Sequence, residues 1–153
     1  MVRLSKKKDQ HDTLDLVTFG FFLVLVGIMF LITPNLLEYI YAFLRDIEFK
    51  EAIPYLYLPA PQDSHTILFA VLSRFTFYFA IAHLFILAAR YFFRSSKDKT
   101  AGTVSGLVFW LGATWILNQY VEADIAWFTL LGYFIALVGV SMIIRNVITL
   151  RVR

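Results

Sequence analysis

The sequence predicts an all-α integral membrane protein: a four-helix bundle of spans with an external interfacial amphipathic helix. Three observations predict it. Of 153 residues, 59% are hydrophobic and only 16% are charged, whereas a soluble domain carries roughly 25% charged residues and is under half apolar. The apolar residues gather into four runs, each near the roughly 20 residues that cross a bilayer. Lys and Arg fall almost wholly on one side of those runs. Mean hydropathy is +0.70, and water could not solvate so much apolar surface, so hydrocarbon is the expected medium.

Residues 1–13 form a basic head, with Arg3 and Lys6-Lys7-Lys8 ahead of Asp9, His11 and Asp12. The first span, 14–33, is interrupted only by Asp15. It is too long for a signal h-region and lacks a small-x-small cleavage site, so it reads as a retained span. Thr33-Pro34 has the form of an N-cap followed by proline at the first helical position. From 34 to 50, Leu36, Leu37, Ile40, Phe43, Leu44 and Ile47 recur at helical spacing, opposed by Glu38, Arg45, Asp46 and Glu48. That pattern predicts an amphipathic helix lying in the interface. Pro54, Pro59 and Pro61 then favour extended structure, and Tyr55 and Tyr57 suit the headgroup zone.

The second span, 66–93, reaches about 42 Å and should tilt or project from the bilayer. Spans three and four cover 101–120 and 125–144, and residues 151–153 form a short tail. Residues 14–150 thus read as one membrane domain without internal repeats. Arg90, Arg94, Lys97, Lys99, Arg145, Arg151 and Arg153 share a side with the basic head, while the other side has only Arg45 and Lys50 amid seven acidic residues. Translocated loops avoid Lys and Arg, which predicts a plasma-membrane protein with both termini cytoplasmic. Net charge is +3, but the cations flank the spans and read as lipid-headgroup contacts, with no nucleic-acid partner implied. Cysteine is absent, which excludes disulfides, thiolate catalysis and Cys-bound metals.

Few residues within the spans could carry chemistry. Arg74 sits about 12 Å below the outer end of the second span, where an unsatisfied guanidinium costs at least about 2.5 kcal/mol. It either snorkels outward or clamps spans two and three through Trp115, Asn118, Gln119 or Glu122. His83 lies about 180° around the same helix from Arg74, sharing a face with Thr76 and Arg90, and reads as a hydrogen-bonded structural histidine. His11 and His65 lie outside the spans on opposite sides, so no haem or zinc ligand set forms and no cofactor is expected. Gly102 and Gly106 form a GxxxG pair, Gly132, Ala136 and Gly139 line one side of span four, and Gly20 and Gly27 recur in span one. Small residues of this kind permit close helix approach, and packing within the chain is the simplest use of them.

Gly27-x-x-Phe30-Leu31-x-Thr33-Pro34-Asn35, Pro59-Ala60-Pro61 and Phe109-Trp110-Leu111-Gly112 together resemble a family of small uncharacterised multispanning membrane proteins of archaea. The resemblance implies an archaeal plasma membrane and no activity, cofactor or site residue.

The expected function is that of a non-enzymatic structural, accessory or assembly subunit, with membrane lipids and other membrane subunits, or itself, as partners. Two alternatives stand beside it. One is a small oligomeric channel or transporter with Arg74 or Asn118 lining the path. The other is a lipid-modifying enzyme using outer groups such as Asp63 and His65.

Overall fold

A proline and an asparagine break the first apolar helix. In the computed structural model, which describes residues 2–93 and 95–150 and side chains from Leu16 onward, helix α1 runs Val2–Ile32. Its last turn closes with the Thr33 N–H on the Met29 carbonyl at 3.1 Å. Pro34 has no N–H to continue the ladder. Asn35 takes the left-handed conformation at φ 61°, which Asn tolerates better than other side-chain-bearing residues. The chain turns by 95° into α2, Leu36–Arg45, whose first turn holds Glu38 and whose last holds Arg45, each at the end its charge favours. The expected cap is thereby corrected. Asn35, not Thr33, occupies the N-cap position, and Pro34 precedes the helix.

Beyond Asp46 the sequence stops being helical. Ile47–Ile53 forms β1, and Leu56–Pro61 forms its antiparallel partner β2. The predicted helix over 34–50 is therefore five residues too long at its end, and an all-α class becomes a mostly helical one, 78% by residue. The physical reason lies in the later residues. Ile47, Phe49, Glu51 and Ile53 alternate with other residues at the period of a strand, and β2 supplies the partner. Pro54 presets the first turn position, and Tyr55 accepts φ 71°, with its N–H bonded to the Glu51 carboxylate at 3.0 Å. Pro59 and Pro61 stand two apart, so both missing N–H groups turn away from β1 and leave the ladder intact. The Pro59 carbonyl, on that same outer side, accepts Trp127 Nε1 at 3.0 Å.

Three long helices complete the chain: α3 at Thr66–Phe92, α4 at Lys97–Glu122 and α5 at Trp127–Leu150. Each is long and apolar enough to cross a membrane. The described apolar part of α1, Leu16–Ile32, reaches about 26 Å, short of a hydrocarbon core of about 30 Å. The most extensive helix packing is α1 on α3, α3 on α4 and α4 on α5, with Phe69, Ile116, Leu117, Tyr120 and Leu130 joining the last three near the hairpin. A second cluster seals α1 to α3 through Leu25, Phe79 and Ala82. Arg90, Lys97, Lys99 and Arg145 gather at the end away from the hairpin, where Arg145 meets Asp98 at 3.8 Å. Arg94, Arg151, Arg153 and the side chains of Arg3, Lys6, Lys7 and Lys8 lie outside the described residues.

Candidate functional site

Small polar side chains stitch α3 to α4. Ser73 and Thr76 stand three apart on α3, and Thr114 and Asn118 four apart on α4, so each pair shares a helix face. Ser73 Oγ donates to Asn118 Oδ1 at 2.5 Å, and the Thr76 and Thr114 hydroxyls meet at 2.9 Å. Thr76 also reaches the Ser73 carbonyl at 2.8 Å, and Thr114 the Trp110 carbonyl at 2.9 Å. Two hydroxyl protons thus face three contacts, so only two of the three are hydrogen bonds at once. Ser105 Oγ extends the stitching to α5, donating to the Ser141 carbonyl at 2.7 Å.

Arg74 is one residue away from this seam and on another face. Ser73, not Arg74, is brought to Asn118. Arg74 is exposed on the flank shared with Ile67, Phe77, Tyr78, Ile81 and Leu84, and it forms no hydrogen bond or ion pair among the described residues. Trp115, 57% exposed, stands edge-on to Tyr133 on α5 at 6.1 Å. Gln119 is half-buried and Glu122 exposed. The clamp offered for Arg74 as the alternative to snorkelling is therefore made by its neighbour. A single sequence offers no means of telling which of two adjacent polar residues turns inward before the crossing of the helices is known.

His83 packs against Gly106. Its Nδ1 lies 3.0 Å from the Phe79 carbonyl, and a Cβ at Gly106 would come within 3.0 Å of the imidazole ring. The GxxxG pair is divided by this, since Gly102 has open space beside it. Gly112 performs the same service on the other side of α4, where Leu137 occupies the volume of its absent side chain. Gly20, Gly27, Gly132 and Gly139 have nothing within 4 Å of a built Cβ, and Ala136 is exposed. The small residues of span four thus point outward, away from their own chain.

Outside the spans, Asp46 anchors the hairpin to the start of α3. Its Oδ2 accepts the N–H groups of Gln62 and Asp63 and lies against His65 Nε2, each at 2.8 Å. The Asp63 amide, followed by the His65 side chain, holds the Asp46 carboxyl below the ordinary carboxylate range. His65 adopts φ 44° at the N-cap of α3 to make this contact. Asp63 contributes its backbone rather than its carboxylate, so the Asp63–His65 neighbours are not the pair that forms. Asp46 lies 19 residues from His65, a separation that carries no local sequence signal. Between α1, α2 and α3 an apolar cavity of about 470 Å³ is lined by Phe22, Met29, Ile40, Phe43, Phe69 and Phe75, among others.

No family model, curated protein or solved structure matches the chain.

Proposed function

We propose that the chain is a non-enzymatic, multi-pass plasma-membrane protein that acts as an accessory or assembly subunit of a larger complex or homo-oligomer. In this reading α1 supplies a fourth crossing, both termini are cytoplasmic, and α2, turned 95° from α1, lies along the outer interface. The observation that carries the reading is Arg74. A guanidinium about 12 Å into a span, on a face that is otherwise Ile67, Phe77, Tyr78, Ile81 and Leu84, needs an acceptor that its own chain does not offer among the described residues. A neighbouring subunit supplies one. The outward small residues of α5 and the 11% burial of its most apolar window support close approach by a second helix.

The test is the mass of the protein released from its native membrane into lipid nanodiscs. The expected result is a protein mass per disc greater than one 17.7 kDa chain, lost in Arg74→Leu and retained in Arg74→Lys. A monomeric particle, or an assembly indifferent to Arg74→Leu, refutes the proposal. It would assign Arg74 to snorkelling.

A further inference from the structure

We propose that the apolar cavity between α1, α2 and α3 holds one hydrocarbon chain of a membrane glycerolipid, and that the ester or ether oxygens of that lipid accept hydrogen bonds from the hydroxyls of Tyr39 and Ser64. The break at Pro34 and Asn35 makes the space. α1 forms one wall between Phe22 and Phe30, and α3 forms the other between Leu68 and Phe75. α2, turned 95° from α1, crosses the gap with Leu36, Ile40 and Phe43. Phe30 and Leu72 are the most exposed lining residues, at 42% each, so the mouth lies between α1 and α3. Leu72 stands about 9 Å along α3 from Thr66, a depth at which lipid chains surround a spanning helix.

Chemistry and width select the occupant. None of the lining residues is charged, and their one side-chain N–H, Trp127 Nε1, is already given to the Pro59 carbonyl. Water in a cavity needs two to four polar partners and finds none here. An unfilled apolar wall forfeits its dispersion contacts, so hydrocarbon is the favoured filling. The cavity holds about 470 Å³. Over the roughly 12 Å of α1 that line it, this volume corresponds to a channel of about 40 Å² in cross-section. A helix with its side chains is about 10–12 Å across and needs about twice that area, so a helix of a second copy does not enter. The chain's own end does not reach it either. Leu150 stands about 34 Å along α5 from Trp127, and the three residues that follow span only about 10 Å.

A polar end adjoins the apolar one. A cleft of about 240 Å³ lined by Tyr39, Ser64 and His65 shares Leu68 with the cavity. Tyr39 and Ile40 are consecutive on α2, so one faces the cleft while the other faces the cavity. Neither the Tyr39 nor the Ser64 hydroxyl forms a hydrogen bond among the described residues, and each has a proton to donate. The two spaces together match a lipid: hydrocarbon below, acceptor oxygens above. Arg74 lines neither space, so this binding is independent of the assembly proposed above.

The experiment uses the full chain purified in detergent, stripped of lipid and titrated with dipalmitoyl phosphatidylcholine, dihexanoyl phosphatidylcholine or glycerophosphocholine. Native mass spectrometry reads the fraction carrying one lipid. The expected result is a saturable one-to-one complex with the dipalmitoyl lipid, at least about tenfold tighter than with the dihexanoyl lipid, and none with glycerophosphocholine. Ile40→Trp fills the cavity and should weaken that complex at least about tenfold, while keeping or raising the lipid-free melting temperature. Val26→Phe serves if Ile40→Trp is unstable. Tyr39→Phe/Ser64→Ala should weaken binding about threefold without changing the lipid-free melting temperature. Equal binding of the three probes, or unchanged binding in a folded cavity-filling variant, overturns the proposal. So does a cavity-filling variant that loses self-association and keeps its lipid, because the occupant is then a second copy.

Discussion

Leu117→Ala measures which solvent surrounds the helices. Leu117 is 1% exposed and packs among Phe69, Ile116, Tyr120 and Leu130. In a water-soluble core, Leu→Ala costs about 2.7–5.0 kcal/mol, the sum of a transfer term and a cavity term. A helix that separates from its neighbours inside a bilayer stays in hydrocarbon, so the transfer of three lost carbons, about 0.8 kcal/mol each, drops out. Only the lost packing contacts remain. The expected cost is roughly 0.5–2.5 kcal/mol, centred near 1.5 kcal/mol. Reversible unfolding in mixed micelles, followed by the fluorescence of Trp127 beside the same cluster, reads the difference. A loss above about 3 kcal/mol would mean that this core unfolds into water, and the membrane assignment of α3, α4 and α5 would fail. No loss at all would mean that the cluster is not packed.

Gly106→Ala should destabilise the α3–α4 pair by about 1–3 kcal/mol, because the new methyl meets the imidazole at 3.0 Å and displacing that ring strains its bond to the Phe79 carbonyl. Gly132→Leu, placed in open space, should leave the melting temperature of the monomer unchanged while shrinking the particle seen in nanodiscs. A double-mutant cycle of Ser73→Ala with Asn118→Leu should return a coupling of about 0.6 kcal/mol, the usual size for such bonds between spanning helices. Asp46 has a folded-state pKa below its ordinary 3.8. The stability it contributes is therefore complete above that ordinary value and lost as pH falls through the folded one. Hydrogen exchange at the Gln62 and Asp63 amides, corrected for intrinsic rates, should stay slow from neutral pH down to about the ordinary carboxylate value and accelerate only beneath it. Asp46→Asn, whose side chain does not titrate, should abolish this pH dependence.

The long helices were legible because their signal is local and additive. The second span, predicted over 66–93, is α3 at Thr66–Phe92, since an uninterrupted apolar run excludes both water and an alternative period. The hairpin was not legible for the same kind of reason. Helical spacing from Leu36 to Phe43 continues by coincidence through Ile47, and only the pairing of Phe49 with Pro59 and Glu51 with Tyr57 makes extension stable. The polar groups of α3 show the limit most plainly. Composition marks Ser73, Arg74, Thr76 and His83 as out of place in hydrocarbon. Which of them turns toward α4, and which is left facing outward, depends on the rotation of one helix against another.

What residues 1–153 dictate, then, is the medium and the order of the elements, because burial of apolar length depends on residue type alone. Their fold dictates the partnerships. Ser73 takes Asn118 while Arg74 is turned out, Asp46 crosses to His65, and the basic ends of α3, α4 and α5 close around one cleft. Hydrogen bonds and charge contacts act over a few ångströms and in fixed directions. They are created only when packing brings distant residues to that range.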